Sequence, residues 1–341
     1  MKKIIVTGGT GYIGSHTCVE LINSGFEVII IDDLSNSTIE VLDGIKKITG
    51  IKPEFYKIDL ANAKETLRCF DTINNISGVI HFAAYKAVGE SVSLPLKYYK
   101  NNLNSLINIL ETMQGKSFKN LIFSSSCTVY GQAEKLPVTE QSPIIKADSP
   151  YGNTKQISEE IIYDTINSTE NLKAISLRYF NPIGAHESAE IGELPIGEPN
   201  NLVPYITQTA AGIRKQLRIF GNDYNTPDGT AIRDYIHVTD LAKAHISALS
   251  RLVNNENKTN YEVFNIGTGK GDSVLEVVNT FEKVTGIKLN YKIVNRRPGD
   301  IEQIWADTSY SEKNLRSKTE KSLGDALLSA WNWEKKYRNI T

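Results

Sequence analysis

Tyr151 and Lys155 stand four residues apart in the run Ser-Pro-Tyr-Gly-Asn-Thr-Lys at 149–155. On a helix that spacing puts both side chains on one face. A cation beside a phenol favours the phenolate, so Lys155 is expected to pull the Tyr151 pKa down and fit it for proton transfer near neutral pH. The same pair could equally be two exposed residues of an ordinary helix. Of the 16 tyrosines, however, Tyr151 alone has a lysine four residues on. A free phenol has a pKa of about 10, and bringing it to neutrality takes roughly 4 kcal/mol of preference for the phenolate. Ser126, at the end of Phe-Ser-Ser-Ser, adds a hydroxyl at the tip of an apolar run. A phenol, an ammonium and a hydroxyl together are suited to taking the proton from a carbinol whose carbon gives up hydride.

A hydride needs an acceptor, and the N-terminus supplies the pattern for one. Gly8, Gly11 and Gly14 are spaced three apart, directly after the apolar run Ile-Ile-Val. Small residues there let the backbone turn tightly against a pyrophosphate, with a helix N-terminus aimed at the anion. The spacing departs from Gly-x-Gly-x-x-Gly, so the next acid matters. Asp32 ends the second apolar run, and a carboxylate there accepts the adenosine ribose hydroxyls and repels a 2′-phosphate. No Lys or Arg lies between Val28 and Ile45. NAD is therefore expected over NADP. The later Gly-rich run from Gly267 to Asp272 has no such partner acid and reads as a turn.

These groups need a scaffold that brings strand tips together. Apolar runs without alternation at 2–8, 27–32, 54–59, 78–83, 120–126 and 173–180 read as strands buried on both faces. Amphipathic stretches at 12–24, 95–114 and 151–170 lie between several of them. Regular succession of strand and helix predicts an α/β, doubly wound parallel sheet. After Asn181 the rhythm breaks into loops rich in Gly, Pro and Asn. The expected division is residues 1–180 as the dinucleotide-binding domain and 181–341 as a smaller α/β substrate-binding lobe. A segment near 236–266 is expected to return to the first domain.

Bulk properties narrow the partners. The 341 residues are long enough for two cores. A net charge of −1 suggests no nucleic-acid partner. No stretch reaches the roughly 20 apolar residues of a membrane helix, and no signal peptide fits before Gly8. Cys18, Cys69 and Cys127 are an odd, scattered set that reads as reduced thiols of a cytoplasmic protein. The five His have no ligand-like spacing, so no metal is expected.

Seven motifs carry a resemblance across nearly the whole chain: MKKIIVTGGTGYIGSH, HFAAYKAVGES, FSSSCTVYG, SPYGNTK, LRYFNPIGAH, GTAIRDYIHVTDLA and RRPGD. In this order they resemble the extended short-chain dehydrogenase/reductase family, and within it the nucleotide-sugar 4-epimerases. The resemblance implies a Rossmann-like fold, tightly bound NAD and reversible epimerisation of UDP-galactose and UDP-glucose at C4 through a 4-keto sugar. It implies that Tyr151 exchanges the hydroxyl proton, Lys155 holds the cofactor ribose and tunes Tyr151, and Ser126 hydrogen-bonds the reacting oxygen. On the cofactor side it implies Tyr12, Ile13, Asp33, Asn36, Asp59, Leu60, Phe82, Ala83, Lys86, Asn101, Ser124 and Tyr179, beside Gly8, Gly11, Gly14 and Asp32. On the substrate side it implies Lys86, Asn181, Asn201, Leu202, Phe220, Tyr224, Arg233, Arg297 and Asp300. Arg233 and Arg297 would grip the diphosphate, where charge-assisted pairs are strong. Ile304 falls at a position that gates the sugar pocket in such enzymes. Being smaller than Tyr and larger than Ser, it implies the plain hexose pair as main substrates and the UDP-N-acetylhexosamines as weaker ones. A homodimer through the helices near 95–114 and 151–170 is also implied.

Two alternatives stay in view. One is a relative of the same fold, another NAD-dependent nucleotide-sugar epimerase or a dehydratase, and the dehydratase would want carboxylates just after Ser126, where Cys127, Thr128 and Val129 stand. A non-catalytic NAD-binding regulator commonly loses the Tyr–Lys pair, which this chain keeps.

Overall fold

The computed structural model describes residues 2–297 and 300–340. Pro298 and Gly299 of the RRPGD run lie outside them, as do Met1 and Thr341. The first half alternates as the apolar runs require: β1 (Lys3–Thr7), α1 (Tyr12–Asn23), β2 (Glu27–Asp32), α2 (Val41–Thr49), β3 (Glu54–Lys57), α3 (Ala63–Thr72), β4 (Ile76–His81), α4 (Val88–Ser93), α5 (Pro95–Gln114), β5 (Asn120–Ser124), α6 (Pro150–Ser168) and β6 (Lys173–Tyr179). The second half has shorter strands: β7 (Asn181–Ile183), α7 (Leu202–Ala210), β8 (Leu217–Phe220), β9 (Ile232–Arg233), β10 (Tyr235–His237), α8 (Val238–Val253), β11 (Tyr261–Ile266) and β12 (Asp272–Ser273). It ends with α9 (Val274–Thr285), β13 (Tyr291–Val294), β14 (Gln303–Ile304), α10 (Ser309–Leu315) and α11 (Leu323–Arg338).

Among the described residues a seven-stranded sheet runs in the order β11–β6–β5–β4–β1–β2–β3, with every pairing parallel. Strand period two divides its side chains. Ile4, Val6 and Ile30 pack under Val19 and Leu21 of α1 and Leu241 and Leu249 of α8. Ile5, Ile29 and Leu121 pack under Phe70 of α3, Leu106 and Ile109 of α5 and Ile162 of α6. Each such buried side chain contributes about 1.5–3 kcal/mol, so both helical layers are held firmly. The winding reverses between β1 and β4, and a crevice opens at their C-terminal ends, where ligands of such sheets sit.

The short strands after β6 pair as β7–β10, β12–β9–β14 and β8–β13. Beside them a separate core gathers Ile206, Ile219, Val277, Phe281, Leu327 and Trp331. Two segments cross back to the large sheet besides α8 and β11. Leu315 of α10 and Ile191, in the loop after β7, are buried in the core beneath α1 and α2. Gly267–Gly271 is a loop wrapped around buried Asp234, whose carboxylate accepts from the backbone N–H of Thr268 (2.8 Å) and Ala306 (3.3 Å), and Asp272 opens β12. All three cysteines are free thiols. Among the described residues no helix is long and apolar enough to cross a membrane.

Candidate active site

One cavity of about 1900 Å³ runs along the crevice and between the two cores. Ordinary small-molecule sites hold about 300–1,000 Å³, so this one has room for two nucleotide-sized ligands.

At one end the β1–α1 turn is built for close approach. Gly8 has φ +70°, and a Cβ on it would lie 2.8 Å from the Ala83 backbone N. A Cβ on Gly14 would lie 2.2 Å from the Gly8 carbonyl O. Gly11 brings no capping side chain to the start of α1, and its first turn holds no acid, so the N–H groups and the positive dipole end are free for an anion. Asp32 closes β2 at the cavity wall. Its carboxylate accepts from the N–H of Thr10 (3.2 Å) and Leu34 (2.9 Å) and from Ser37 Oγ (3.2 Å). An anion there, with Asn36 and Asp33 on the same rim, suits ribose hydroxyls and opposes a 2′-phosphate. These features fit a dinucleotide. Asp32→Ala is expected to weaken NAD retention by roughly 10–100-fold, the worth of a charged hydrogen bond, and to narrow the gap between NAD and NADP. Dissociation constants for both nucleotides check this, and equal binding of both by the wild type would show that Asp32 does not discriminate.

At the centre, Ser149 caps α6 by accepting from Gly152 N–H at 3.1 Å, and Pro150 takes the first helical position. Tyr151 (8% exposed) and Lys155 (5%) follow on one face, both lining the cavity. Lys155 Nζ donates to the Ser124 carbonyl at 2.8 Å and lies 5.9 Å from the centre of the Tyr151 ring. Ser126 sits at the tip of β5, opening the short turn Cys127–Tyr130, with its Oγ accepting from Thr128 N–H at 3.2 Å. Tyr151, Lys155 and Ser126 thus meet at one point.

The electrostatics correct one expectation. Lys155 alone does not bring Tyr151 down. Burial pushes the phenol well above its ordinary value, with Tyr179 adding to the rise and the Ser126 hydroxyl opposing it. Burial also draws Lys155 down to about 8. Removing both groups from water penalises phenolate and ammonium alike, and the ammonium spends its short hydrogen bond on a carbonyl. A base in this position needs a further positive charge above the ring.

At the far end, Arg233 from β9 reaches the cavity with Nη2 donating to the Ile301 carbonyl at 2.5 Å. The half-exposed Arg297 lies over the Phe220 ring at 4.7 Å and pairs with Asp300 at 3.0 Å. Asn181, Asn201 and Leu202 line the same wall. So do Tyr12, Ile13, Asp59, Leu60, Phe82, Ala83, Lys86, Asn101 and Tyr179 nearer the turn.

Three expected residues are placed otherwise. Ser124 lies behind the wall, its Oγ donating to Tyr179 Oη at 3.1 Å. Tyr224 is buried under the Arg296 guanidinium, 3.9 Å from its ring centre. Ile304 (2% exposed) packs with Val129, Tyr130, Val138, Phe180 and Ala306, not in the cavity lining. The pairing of β14 with β9 holds it in this small core, against which the partly buried Cys127 and Ile301 pack, and those two line the cavity.

Other residues at the site had no signal in the sequence. Glu193 holds Asn201 Nδ2 at 2.6 Å and Lys86 Nζ at 3.5 Å, joining residues from both sides of the cleft. Its loop is clamped across the crevice: Tyr12 Oη donates to the Gly184 carbonyl at 2.6 Å, and Glu190 pairs with Lys47 of α2. A lone Glu in a Gly-Pro loop looks like a solvated charge until folding supplies its partners.

Residues 4–267 match the NAD dependent epimerase/dehydratase family. Two curated relatives called UDP-glucose 4-epimerase are similar along almost their full length. That of Bacillus subtilis (strain 168) is 48% identical, covering 97% of this chain and 96% of its own. That of Dictyostelium discoideum is 49% identical, covering 97% and 95%. Among solved structures, the UDP-glucose 4-epimerase of Stenotrophomonas maltophila, with bound NAD and formylated UDP-arabinopyranose, superposes at TM-score 0.95 with 43% identity and complete coverage of both chains. That of Bifidobacterium longum, in complex with NAD+ and UDP, superposes at 0.94 with 44% identity and the same coverage.

Proposed function

This chain belongs to the NAD dependent epimerase/dehydratase family, and from that premise we propose that it interconverts UDP-galactose and UDP-glucose by inverting C4 of the sugar with tightly held NAD. The observation that carries the reading is the shared cavity: the Gly8–Gly14 turn and Asp32 at one end, Tyr151, Lys155 and Ser126 at the centre, Arg233 and Arg297 at the other. The dinucleotide, bound along the turn, supplies a hydride acceptor that becomes the donor for the return step. Tyr151 Oη takes the proton of the C4 hydroxyl as hydride leaves that carbon, and gives it back when hydride returns to the other face. The positive charge of the oxidised nicotinamide is what Tyr151 needs to ionise in its buried place. Lys155 adds its charge and holds the ribose, and Ser126 donates to the C4 oxygen. Arg233 and Arg297 hold the diphosphate while the hexose, less firmly held, turns between the two transfers. Glu193 keeps Lys86 and Asn201 at the cleft mouth.

In this reading residues 1–180, with 236–266 returning, form the NAD-binding domain, and 181–341 form the smaller UDP-sugar-binding lobe. The N-acetylated pair is a weaker substrate, with Ile304 acting on the wall through Cys127. The reaction is placed in the cytoplasm, where free thiols persist. A homodimer is supported by exposed Leu96 on α5 and Tyr163 on α6. A dehydratase is disfavoured because Cys127 and Thr128, not carboxylates, follow Ser126 at the wall.

The test is incubation of the purified protein with UDP-galactose and no added cofactor. UDP-glucose should form, denatured protein should release NAD, and free reduced cofactor should not accumulate. Stoichiometric release of reduced nicotinamide would mark a dehydrogenase instead.

A further inference from the structure

Three consecutive serines end β5 and its exit, and each is placed differently. Ser126 faces the cavity. Ser124 offers its carbonyl to Lys155. Ser125, fully buried, donates its Oγ to Glu159 Oε1 at 2.6 Å. Glu159 lies on α6 one turn beyond Lys155 and two beyond Tyr151, and is itself buried. Arg178 of β6 donates Nε to its Oε1 at 3.0 Å and Nη2 to its Oε2 at 2.5 Å. The same guanidinium donates Nη1 to Tyr130 Oη at 3.0 Å, at the end of the turn that Ser126 opens. Tyr130 Oη in turn donates to Asn265 Oδ1 of β11 at 2.6 Å. One carboxylate therefore ties α6, β5, β6 and the Ser126 turn together, and neither it, Ser125 nor Arg178 lines the cavity. A buried ion pair adds little net stability over apolar packing. Its geometry, fixed on both oxygens, is better suited to setting register.

We propose that Glu159 is a positioning residue for the proton transfer, aiming Ser126 through Ser125 and standing one helical turn from Lys155 on the same helix. The inference rests on the reading of Tyr151 and Lys155 as the proton-handling groups. Lys155 is drawn down by burial and raised by Glu159. The other titratable groups around it bring no opposing anion: His81 of β4 is held neutral by burial, down to about 3, and burial raises the phenols of Tyr151 on α6, Tyr179 on β6 and Tyr98 on α5. The Phe123 ring of β5 packs 4.8 Å from Lys155 Nζ.

Two variants separate the roles. Ser125→Ala cuts the tie to β5 and keeps the carboxylate. Glu159→Gln keeps an acceptor for Ser125 and removes the charge. Ser125→Ala is expected to lower kcat by about 10–100-fold through misplacement of Ser126, with KM for UDP-galactose nearly unchanged and NAD still trapped. Glu159→Gln is expected to move the alkaline limb of kcat to lower pH by roughly half a pH unit or more, a limb that Ser125→Ala leaves in place. If Glu159→Gln does not fold because Arg178 is stranded, the Glu159→Met, Arg178→Met pair removes both charges at similar volume and should move the limb in the same direction by a smaller amount, because a cation is lost with the anion. Wild-type turnover with unchanged kcat and unchanged limb in the variants overturns this inference alone, as does a loss of activity that only follows loss of NAD. No epimerisation by the wild type sinks the earlier reading and this one together.

Discussion

Replacing Tyr151 with Phe should lower the rate of C4 epimerisation by about 10²–10⁴, the usual worth of a positioned acid–base group, while UDP binds as before. The ring is almost sealed in the wall beside Ser126 and Lys155, so Phe fills the same volume and only the hydroxyl is lost. The residues that would grip UDP, Arg233 and Arg297, lie at the other end of the cavity and do not depend on that hydroxyl. The loss should therefore fall on kcat. Measuring kcat, KM and the UDP dissociation constant for both proteins decides it. A Tyr151→Phe enzyme within about tenfold of wild type would mean that another group carries the proton.

A second large effect is expected at the opposite end. Gly14→Ala should yield protein without bound NAD, inactive unless NAD is added in excess, and less stable by about 1–3 kcal/mol or more. The added Cβ would meet only backbone: the Gly8 carbonyl O at 2.2 Å, Gly9 Cα at 2.9 Å and Gly8 C at 3.0 Å. No side chain can swing aside, so α1 must move off the turn. The turn cannot yield, because Gly8 is already pressed beneath the Ala83 backbone with positive φ. Gly115→Ala is the control, since its Cβ would find its nearest neighbour at 3.8 Å. Bound NAD per chain and the urea midpoint are the readouts. If Gly14→Ala retains both like Gly115→Ala, the turn does not approach the cofactor closely.

The outline of this protein is legible along the chain because it depends on short-range physics. Six apolar runs become β1 to β6, five of them because strands buried on both faces need no alternation; the expectation fails at β3, an edge strand whose Glu54 and Lys57 are exposed. Gly8 and Gly14 announce a backbone that admits no Cβ. Asp32 stands at a strand end, and Tyr151 and Lys155 share a helix face by period alone. Other features depend on atoms brought from far away in sequence, and only the tertiary structure decided them. The spacing of Tyr151 and Lys155 predicts a lowered phenol, but the packing that buries both reverses the sign, because desolvation is set by everything that excludes water from a site. Ile304 reads as a pocket wall, but the pairing of β14 with β9 holds it in a small core. Glu193 and Glu159 look like ordinary helix or loop charges. The first gains its meaning from Lys86 and Asn201, the second from Ser125 and Arg178. A side chain's type and spacing determine what chemistry it can offer. Which partners it meets, and how much water is left around them, belongs to the folded chain, because those neighbours are close in space and distant in sequence.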